Sequence, residues 1–108
     1  NYIRPADSKP YLVIGEVKYG KPILDRVITP KVSIGDASRC ALISMDSTLK
    51  SDLTVGPPID FAVIKKDEIK IASLKCLNMN DPEFSKVCNQ WSQGIFKIFD
   101  SFQRFDWE

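Results

Sequence analysis

The stretch YLVIGEVKYGKPILDRVI, residues 11–28, changes from one kind of regular structure to another within a few residues. Its first four residues, Tyr11–Ile14, form a continuous apolar run, which is typical of a strand buried on both faces. Gly15 and Gly20 then bracket a turn, and Pro22 favours the first turn of a helix, where its missing N–H is not needed. The apolar residues after it recur at helical spacing. The stretch therefore predicts a strand, a sharp turn and a short helix.

The same stretch also satisfies all but the last position of the nucleotide-binding P-loop pattern G-x-x-x-x-G-K-[ST], through Gly15, Gly20 and Lys21. The last position requires a Ser or Thr hydroxyl, which binds the magnesium ion of the nucleotide. Pro22 stands there, and it has neither a hydroxyl nor an N–H that could donate to a phosphate. A turn followed by a helix start is the better interpretation, and a P-loop nucleotide binder is kept as a remote alternative.

Length and charge narrow the class of protein. The chain has 108 residues, which suits one small domain or part of a larger one. Its 15 basic and 14 acidic residues nearly cancel, so the sequence predicts neither a nucleic-acid partner nor a membrane-surface partner. No apolar run approaches the length of a membrane span and no signal peptide is recognisable, which predicts a cytoplasmic protein.

The residue types available for chemistry are limited. The chain contains no histidine, which excludes Ser-His-Asp and Cys-His catalysis and histidine metal sites within this sequence. The three cysteines are odd in number and form no C-x-x-C pair, which argues against a disulfide framework and a zinc site. Cys40 and Cys88 fall on apolar helix faces, so buried reduced thiols and a reducing compartment are expected. No metal ion or cofactor is predicted.

The middle of the chain predicts a helix and a β-hairpin. Ser33 is a favourable N-cap, and apolar residues recur at helical spacing from there to about Lys50. A polar, glycine- and proline-containing segment then ends the helix. Alternating apolar residues over 59–65 and 69–76, separated by a charged turn, predict two paired strands.

The last third of the chain predicts a long helix. Asp81 and Pro82 favour its start. Its apolar face is wide and aromatic and is expected to pack in the core rather than bind a partner. The face consists of Phe84, Val87, Cys88, Trp91, Ile95, Ile98, Phe99 and Phe102. The closing RFDWE is expected to be a tail anchored by Trp107.

The predicted order of elements is strand, helix, helix, strand, strand, helix, which is an α+β arrangement. Three strands are too few to cover the apolar faces of three helices, and each such face needs a further layer to pack against. The chain is therefore expected to be part of a larger layered structure.

Two segments of the chain resemble one family closely. Residues 11–28 and ALISMDSTLKSDLTVGPPIDFAVI, residues 41–64, are similar to the C-terminal half of the bacterial proteasome-type proteases called Anbu, or ancestral proteasome β-subunits. IGEVKYGKPILDRVI is the most specific match, and DSTLKSDLTVGPPID is similar to the family pattern D-S-T-L-x-S-N-L-S-V-G-x-P-I-D. The resemblance covers nearly the whole chain, whereas the family's proteins are more than twice as long.

The resemblance implies a fold and an activity. The fold is the Ntn-hydrolase four-layer αββα sandwich, of which residues 1–108 would be the C-terminal portion, with the N-terminal half absent. The activity is that of an N-terminal-nucleophile peptidase, in which a threonine at the mature N-terminus attacks the peptide carbonyl and its own α-amine serves as general base. This chemistry requires no histidine. Homo-oligomers with the shape of a ring or an open spiral, acting on peptides or unfolded proteins, are implied as well.

One departure from the family decides which residues are carried over. Asn1 has neither a hydroxyl nor a thiol, and the family's nucleophile belongs to the half that this sequence lacks. No catalytic residue is therefore predicted in the chain, which is expected to be inactive alone.

The resemblance still implies groups that support the nucleophile. They lie in the turn after the first strand and after the second helix, at Gly15, Glu16, Lys18, Ser51, Asp52 and Thr54. Glu16 or Lys18 would tune or orient the nucleophile's amine in place of a serine that proteasomes carry in this turn. Asp52 would accept a hydrogen bond from that amine. An exposed turn and a polar helix-ending residue are the alternatives at these positions.

A function from another class stays open, namely a non-catalytic assembly module. Its outer helix faces and the aromatic stripe from Phe84 to Phe102 would mediate subunit contacts. A peptidase predicts a companion polypeptide that begins with Thr, Ser or Cys, whereas an assembly module predicts none. A P-loop protein predicts magnesium-dependent nucleotide binding.

Overall fold

The computed structural model describes residues 2–15 and 17–108, which form three helices and one two-stranded sheet. In chain order the elements are α1 (Lys21–Val27), α2 (Ile34–Ser51), β1 (Ile59–Val63), β2 (Ser73–Leu77) and α3 (Pro82–Asp100). The mixed helix-and-strand composition agrees with the prediction, but the predicted first strand is missing from the order. None of the three helices in this described part combines the length and the apolar content of a membrane span.

The helices begin where the local sequence predicts. α1 follows Gly20 and carries a proline in its first turn. At α2, the Ser33 side chain accepts a hydrogen bond from the Asp36 N–H at 3.0 Å. At α3, the Asp81 carboxylate accepts one from the Phe84 N–H at 2.9 Å. Each cap satisfies a backbone donor that has no partner within its own helix.

The hairpin is shorter than the sequence predicts. β1 and β2 pair antiparallel, with Ile59 opposite Leu77 and Val63 opposite Ser73. Ile59 and Leu77 are buried, so burial of this end fixes the register. The predicted second strand, 69–76, therefore starts four residues too early: Ile69 and Ile71 lie in the connection and are exposed. The alternation of apolar and polar residues was therefore not sufficient to distinguish a strand from the exposed connection before β2.

The main core lies between the hairpin, α2 and α3. Its buried members are Ile59, Leu77, Phe84 and Cys88. Partly buried side chains from α2 and β1 pack against them, namely Leu42, Met45, Leu49 and Phe61. Phe84 is the most enclosed of these residues, with 1% of its surface exposed. Burial of this apolar surface is the main contribution to folding that joins the hairpin to the two longer helices.

The predicted buried thiols are confirmed. Cys40 and Cys88 are free and buried, whereas Cys76 is free and exposed. The Cys40 thiol lies against α1, with its sulfur 3.8 Å from the Ile23 carbonyl oxygen. Burial raises the pKa of Cys40, and burial together with the nearby Asp46 carboxylate raises the pKa of Cys88 to about 11. Both thiols are therefore protonated at neutral pH and act as small apolar side chains.

Residues 11–14 do not form the predicted buried strand. Leu12 is 57% exposed and Ile14 is 98% exposed, and neither belongs to a strand. A strand requires hydrogen bonds to a neighbouring strand, and the hairpin is the only sheet in the described residues. Residues 11–14 are apolar as a buried strand would be, but the described residues contain no strand that pairs with them.

The aromatic face of α3 is buried only in its first half. Phe84 and Cys88 are buried, but Ile98 and Phe99 are more than 60% exposed, so the prediction of core packing is wrong for the second half. α2 ends at Ser51 and gives this second half no cover. Trp107 does not anchor the tail as predicted: it is 80% exposed and stacks on Phe105, with ring centroids 5.2 Å apart.

A close backbone approach joins α1 to α2. The Ser44 hydroxyl, which is buried, donates to the Gly20 carbonyl oxygen at 3.0 Å. A Cβ added at Gly20 would lie 2.4 Å from the Ser44 Oγ and 3.2 Å from the Ser44 carbonyl oxygen. Glycine is therefore required at this position for steric reasons, because any side chain would push the start of α1 away from α2.

We expect Gly20→Ala to lower the free energy of unfolding by about 1–3 kcal/mol, because the new methyl group overpacks this contact. Chemical denaturation of the two proteins measures the difference. Gly94→Ala is the matched control, because no atom lies within 4 Å of a Cβ built there. Glycine inside a helix is less favourable than alanine by about 0.5–1 kcal/mol, so this variant should be slightly more stable than the wild type. Equal stability of the Gly20→Ala protein and the wild type would contradict the close-approach explanation.

Candidate functional site

The turn that precedes α1 contains the first group of predicted site residues. Gly15 has a φ of 90°, in the left-handed region where glycine is strongly favoured, which suits the sharp turn; its predicted supporting role stays a prediction. Glu16 lies outside the described residues, and its predicted role stays a prediction. The turn closes onto the helix through the Lys21 N–H, which donates to the Val17 carbonyl oxygen at 3.4 Å.

The end of α2 contains the second group. Asp52 is the C-cap, and its N–H donates to the Thr48 carbonyl oxygen at 2.8 Å. Its carboxylate oxygen Oδ1 accepts from the Thr54 N–H at 2.9 Å and from the Thr54 hydroxyl at 2.6 Å. Asp52 and Thr54 thus close a tight Asx turn that fixes the direction of the carboxylate. Ser51 is the last residue of α2 and is exposed.

Electrostatics link the two groups. The hydrogen bonds from Thr54 hold the pKa of Asp52 below its usual value, and the positive charge of Lys18 lowers this pKa further. Lys18 in the turn therefore lies close enough to influence a carboxylate that is 34 residues away in the sequence. The structure places an ammonium group and an oriented, ionised carboxylate at the same end of α2.

This arrangement suits an amine or a hydroxyl supplied from elsewhere. Both bonds from Thr54 go to Oδ1, so Oδ2 of Asp52 keeps its capacity to accept a hydrogen bond. Lys18 would disfavour a second positive charge nearby and so lower the pKa of an adjacent amine. Among residues 2–15 and 17–108, no three acidic or cysteine side chains lie close enough together to hold a metal ion.

A second polar cluster was missed by the sequence analysis. The Tyr11 hydroxyl donates to the Asp25 carboxylate, which also lies 2.8 Å from the Lys21 ammonium and 3.6 Å from that of Lys9. The hydrogen bonds from Lys21 and Tyr11 lower the pKa of Asp25 to about 2. The spacing of Lys21 and Asp25, one helical turn, could have predicted their ion pair, but no local pattern predicted the hydrogen bond from Tyr11.

This cluster also bears on the P-loop alternative. A P-loop lysine must reach the β- and γ-phosphates of the nucleotide. Lys21 lies within α1, and its ammonium contacts both Asp25 carboxylate oxygens, at 2.8 and 3.1 Å. Its partner is thus a helix side chain of the same protein, and the geometry gives nucleotide binding no support.

The Asp25 cluster predicts an acid-range titration. Because the pKa of Asp25 is lowered in the folded protein, its stabilising contribution is present above the ordinary value of 3.8 and is lost as the pH falls through about 2. NMR titration of the Asp25 carboxyl carbon should give a midpoint near 2 in the wild type. Lys21→Gln should raise that midpoint, and the control Lys31→Gln should leave it unchanged. A wild-type midpoint at the ordinary value would refute the cluster.

No protein-family model and no curated protein matches the sequence. Several solved structures do. A mutant Anbu from Hyphomicrobium sp. strain MC1 is 40% identical over 98% of this chain and 46% of its own, with a TM-score of 0.91. Anbu, the ancestral beta-subunit, from Yersinia bercovieri is 38% identical over 98% of this chain and 45% of its own, with a TM-score of 0.92. A helical assembly of the Anbu complex from Pseudomonas aeruginosa is 38% identical over 97% of this chain and 44% of its own, with a TM-score of 0.89.

The sequence similarity and the similarity of the backbone to these proteins both extend over nearly the whole chain. The chain spans a little less than half the length of these structures, as a C-terminal half would. The predicted family is confirmed: the chain belongs to the Anbu family of ancestral proteasome β-subunits and corresponds to about half of such a protein.

Proposed function

We propose that this chain is the C-terminal portion of a proteasome-type peptidase that uses an N-terminal nucleophile and hydrolyses peptide bonds in its assembled form. The observation that carries the proposal is the 38–40% identity with Anbu structures over nearly the whole chain. The chain supplies supporting groups, and the remaining portion of the protein supplies the nucleophile. By itself the chain is inactive in this proposal.

The proposal includes the four-layer αββα architecture. Its support is the amount of apolar surface that the described residues leave uncovered. Segment 10–14, the helices α1 and α2 and their connection line a mainly apolar, open cavity of about 450 Å³. Strands from the remaining portion of the protein would pair with residues 11–14 and extend the two-stranded sheet. They would bury Leu12 and Ile14 and fill this cavity, which gives each helical layer a sheet to pack against.

The mechanism assigns opposite electrostatic effects to Lys18 and Asp52. An α-amine has an ordinary pKa of about 7.7–8.0 and must be unprotonated to act as general base. Lys18 would lower the pKa of that amine, which favours the basic form at neutral pH. Asp52 would accept a hydrogen bond from the amine through Oδ2 and so aim its lone pair at the nucleophile's hydroxyl. Thr54 positions Asp52, and Gly15 allows the turn that presents Lys18.

Self-assembly is the second part of the proposal. The Pseudomonas aeruginosa Anbu forms a helical assembly, and this chain shares its fold over 97% of its residues. Homo-oligomers with the form of a ring or an open spiral, enclosing sites for peptides or unfolded proteins, are therefore proposed here too. A cytoplasmic location stays a prediction, and so do the supporting roles of all six site residues, namely Gly15, Glu16, Lys18, Ser51, Asp52 and Thr54.

The test uses the whole protein that contains this chain. Asp52→Asn should lower kcat for a fluorogenic peptide at least tenfold, because an oriented acceptor for the amine is lost. It should also move the acid limb of the kcat/KM profile to lower pH, since the carboxylate favours the protonated amine. Lys18→Met should move the same limb to higher pH. Asp36→Asn, which removes an exposed carboxylate at the other end of α2, is the matched control and should change neither parameter.

Opposite shifts for the two variants are the signature of a shared amine. If both variants keep the wild-type profile, the proposed support role is wrong. If the assembled wild type hydrolyses no peptide, the peptidase proposal is wrong. The assembly-module alternative, which the exposed second half of α3 favours, then becomes the better explanation.

A further inference from the structure

One row of small and polar side chains on α2 faces α1 and the turn before it. The members of the row follow one another at intervals of four residues, so they lie on one side of the helix. They are Cys40, Ser44, Thr48 and Asp52. Cys40 and Ser44 are buried, whereas Asp52 caps the end of the helix. The row therefore runs from the buried part of α2 to the carboxylate of the candidate site.

The partners of this row follow in the opposite order along the chain. The Cys40 sulfur lies 3.8 Å from the Ile23 carbonyl oxygen, and one turn further along α2 the Ser44 hydroxyl donates to the Gly20 carbonyl oxygen at 3.0 Å. The chain of α1 and the chain of α2 therefore run in opposite directions at this contact. Two residues before Gly20, the same path reaches Lys18, whose charge acts on the carboxylate about two turns beyond Ser44.

Within the row, Ser44 makes a well-formed hydrogen bond to the residue from which α1 begins. A thiol such as that of Cys40 is a weaker donor than a hydroxyl. The Thr48 hydroxyl donates at 3.0 Å to the Ser44 carbonyl oxygen, which belongs to α2 itself. Since Ser44 and Gly20 are both buried, water competes little for the bond between them. Ser44 thus ties α2 firmly to the end of the turn.

We propose that Ser44 is a positioning residue of the peptidase, whose hydroxyl holds the turn before α1 so that Lys18 and Asp52 act on the same amine. Lys18 is two residues from Gly20, so a shift of the Gly20 backbone passes directly to it. Ser44 is buried and acts through the turn rather than on the substrate. The inference rests on the proposed function, because it matters to the reaction only if Lys18 and Asp52 serve the nucleophile.

The first test measures the pH dependence of peptide hydrolysis by the whole protein. Ser44→Ala removes the donor and adds no atom to the contact. It should lower kcat about tenfold, because a small misplacement of groups around the reacting atoms has an effect of this order. It should also move the acid limb of the kcat/KM profile to higher pH, as Lys18→Met does, because the ammonium is no longer held beside the amine.

Two comparisons isolate the positioning effect. Ser38→Ala is the matched control, because the Ser38 hydroxyl donates to the Ile34 carbonyl oxygen within α2, at 2.7 Å. It should leave both kcat and the acid limb unchanged. The double variant Ser44→Ala, Lys18→Met is the second comparison. Since Ser44 acts through Lys18, the loss of its hydroxyl should shift the limb no further once Lys18 has been replaced.

A second readout requires no catalysis. The hydrogen bonds from Thr54 and, to a smaller extent, the charge of Lys18 hold the pKa of Asp52 below its ordinary value. NMR titration of the Asp52 carboxyl carbon in the same proteins therefore reports whether Lys18 keeps its place. Ser44→Ala should raise the midpoint of this titration, and it should raise it no further in the Lys18→Met background.

The outcomes separate this proposal from the proposed function. If the acid limb or the Asp52 midpoint of Ser44→Ala stays at the wild-type value, the proposal is overturned, even where the melting temperature falls, because Ser44 then only stabilises the fold. Equal shifts with and without Lys18 overturn it too. If the wild type hydrolyses no peptide, the peptidase proposal fails, and the Asp52 titration alone decides whether Ser44 positions Lys18.

Discussion

The contact between Gly20 and Ser44 determines where everything else in the candidate site lies. Ser44, Thr48 and Asp52 are four residues apart and therefore share one face of α2. Gly20 rests on this face, with Ser44 bonded to its carbonyl oxygen and the Thr48 hydroxyl near its backbone. The turn before α1 must then run along the same face towards the end of α2. The charge of Lys18 acts on Asp52, and a residue without a side chain at position 20 permits the approach of the two segments.

A buried polar group contributes in a different way at the other side of α2. Asp46 is 2% exposed and lies 3.2 Å from the Lys50 ammonium, which in turn reaches Ser92. A buried carboxylate that is not paired would be costly, and Lys50, one turn away on the same helix, pairs this one. Lys50 also donates to Ser92 of α3, so this polar contact adds to the apolar packing around Phe84 that joins the two helices. Because α2 ends at Ser51, the second half of α3 has no cover from it.

Local features of the structure followed from the sequence, and nonlocal ones did not. The caps at Ser33 and Asp81 depend on residues three positions away, so their side chains were sufficient to predict them. The resemblance singled out Lys18, Asp52 and Thr54; in the structure Thr54 bonds to Asp52, and the charge of Lys18 acts on that carboxylate. The strand at 11–14 could not be assessed without its partner strand. The extent of burial along α3 depends on where a different helix ends, and Tyr11 joins Asp25 across segments whose packing no local pattern specifies.

The position of the two tryptophans gives the protein an optical property. Trp91 is partly buried where α3 faces α1 and α2, whereas Trp107 lies 80% exposed on the ring of Phe105. Indole emission moves to longer wavelength in water, so Trp107 emits at longer wavelength than Trp91, and their bands overlap. Trp107 supplies the red component, and its emission responds to whatever covers the end of α3, while Trp91 reports on the packing of the helices. The sequence thus contains its own fluorescent probe for each of these two environments.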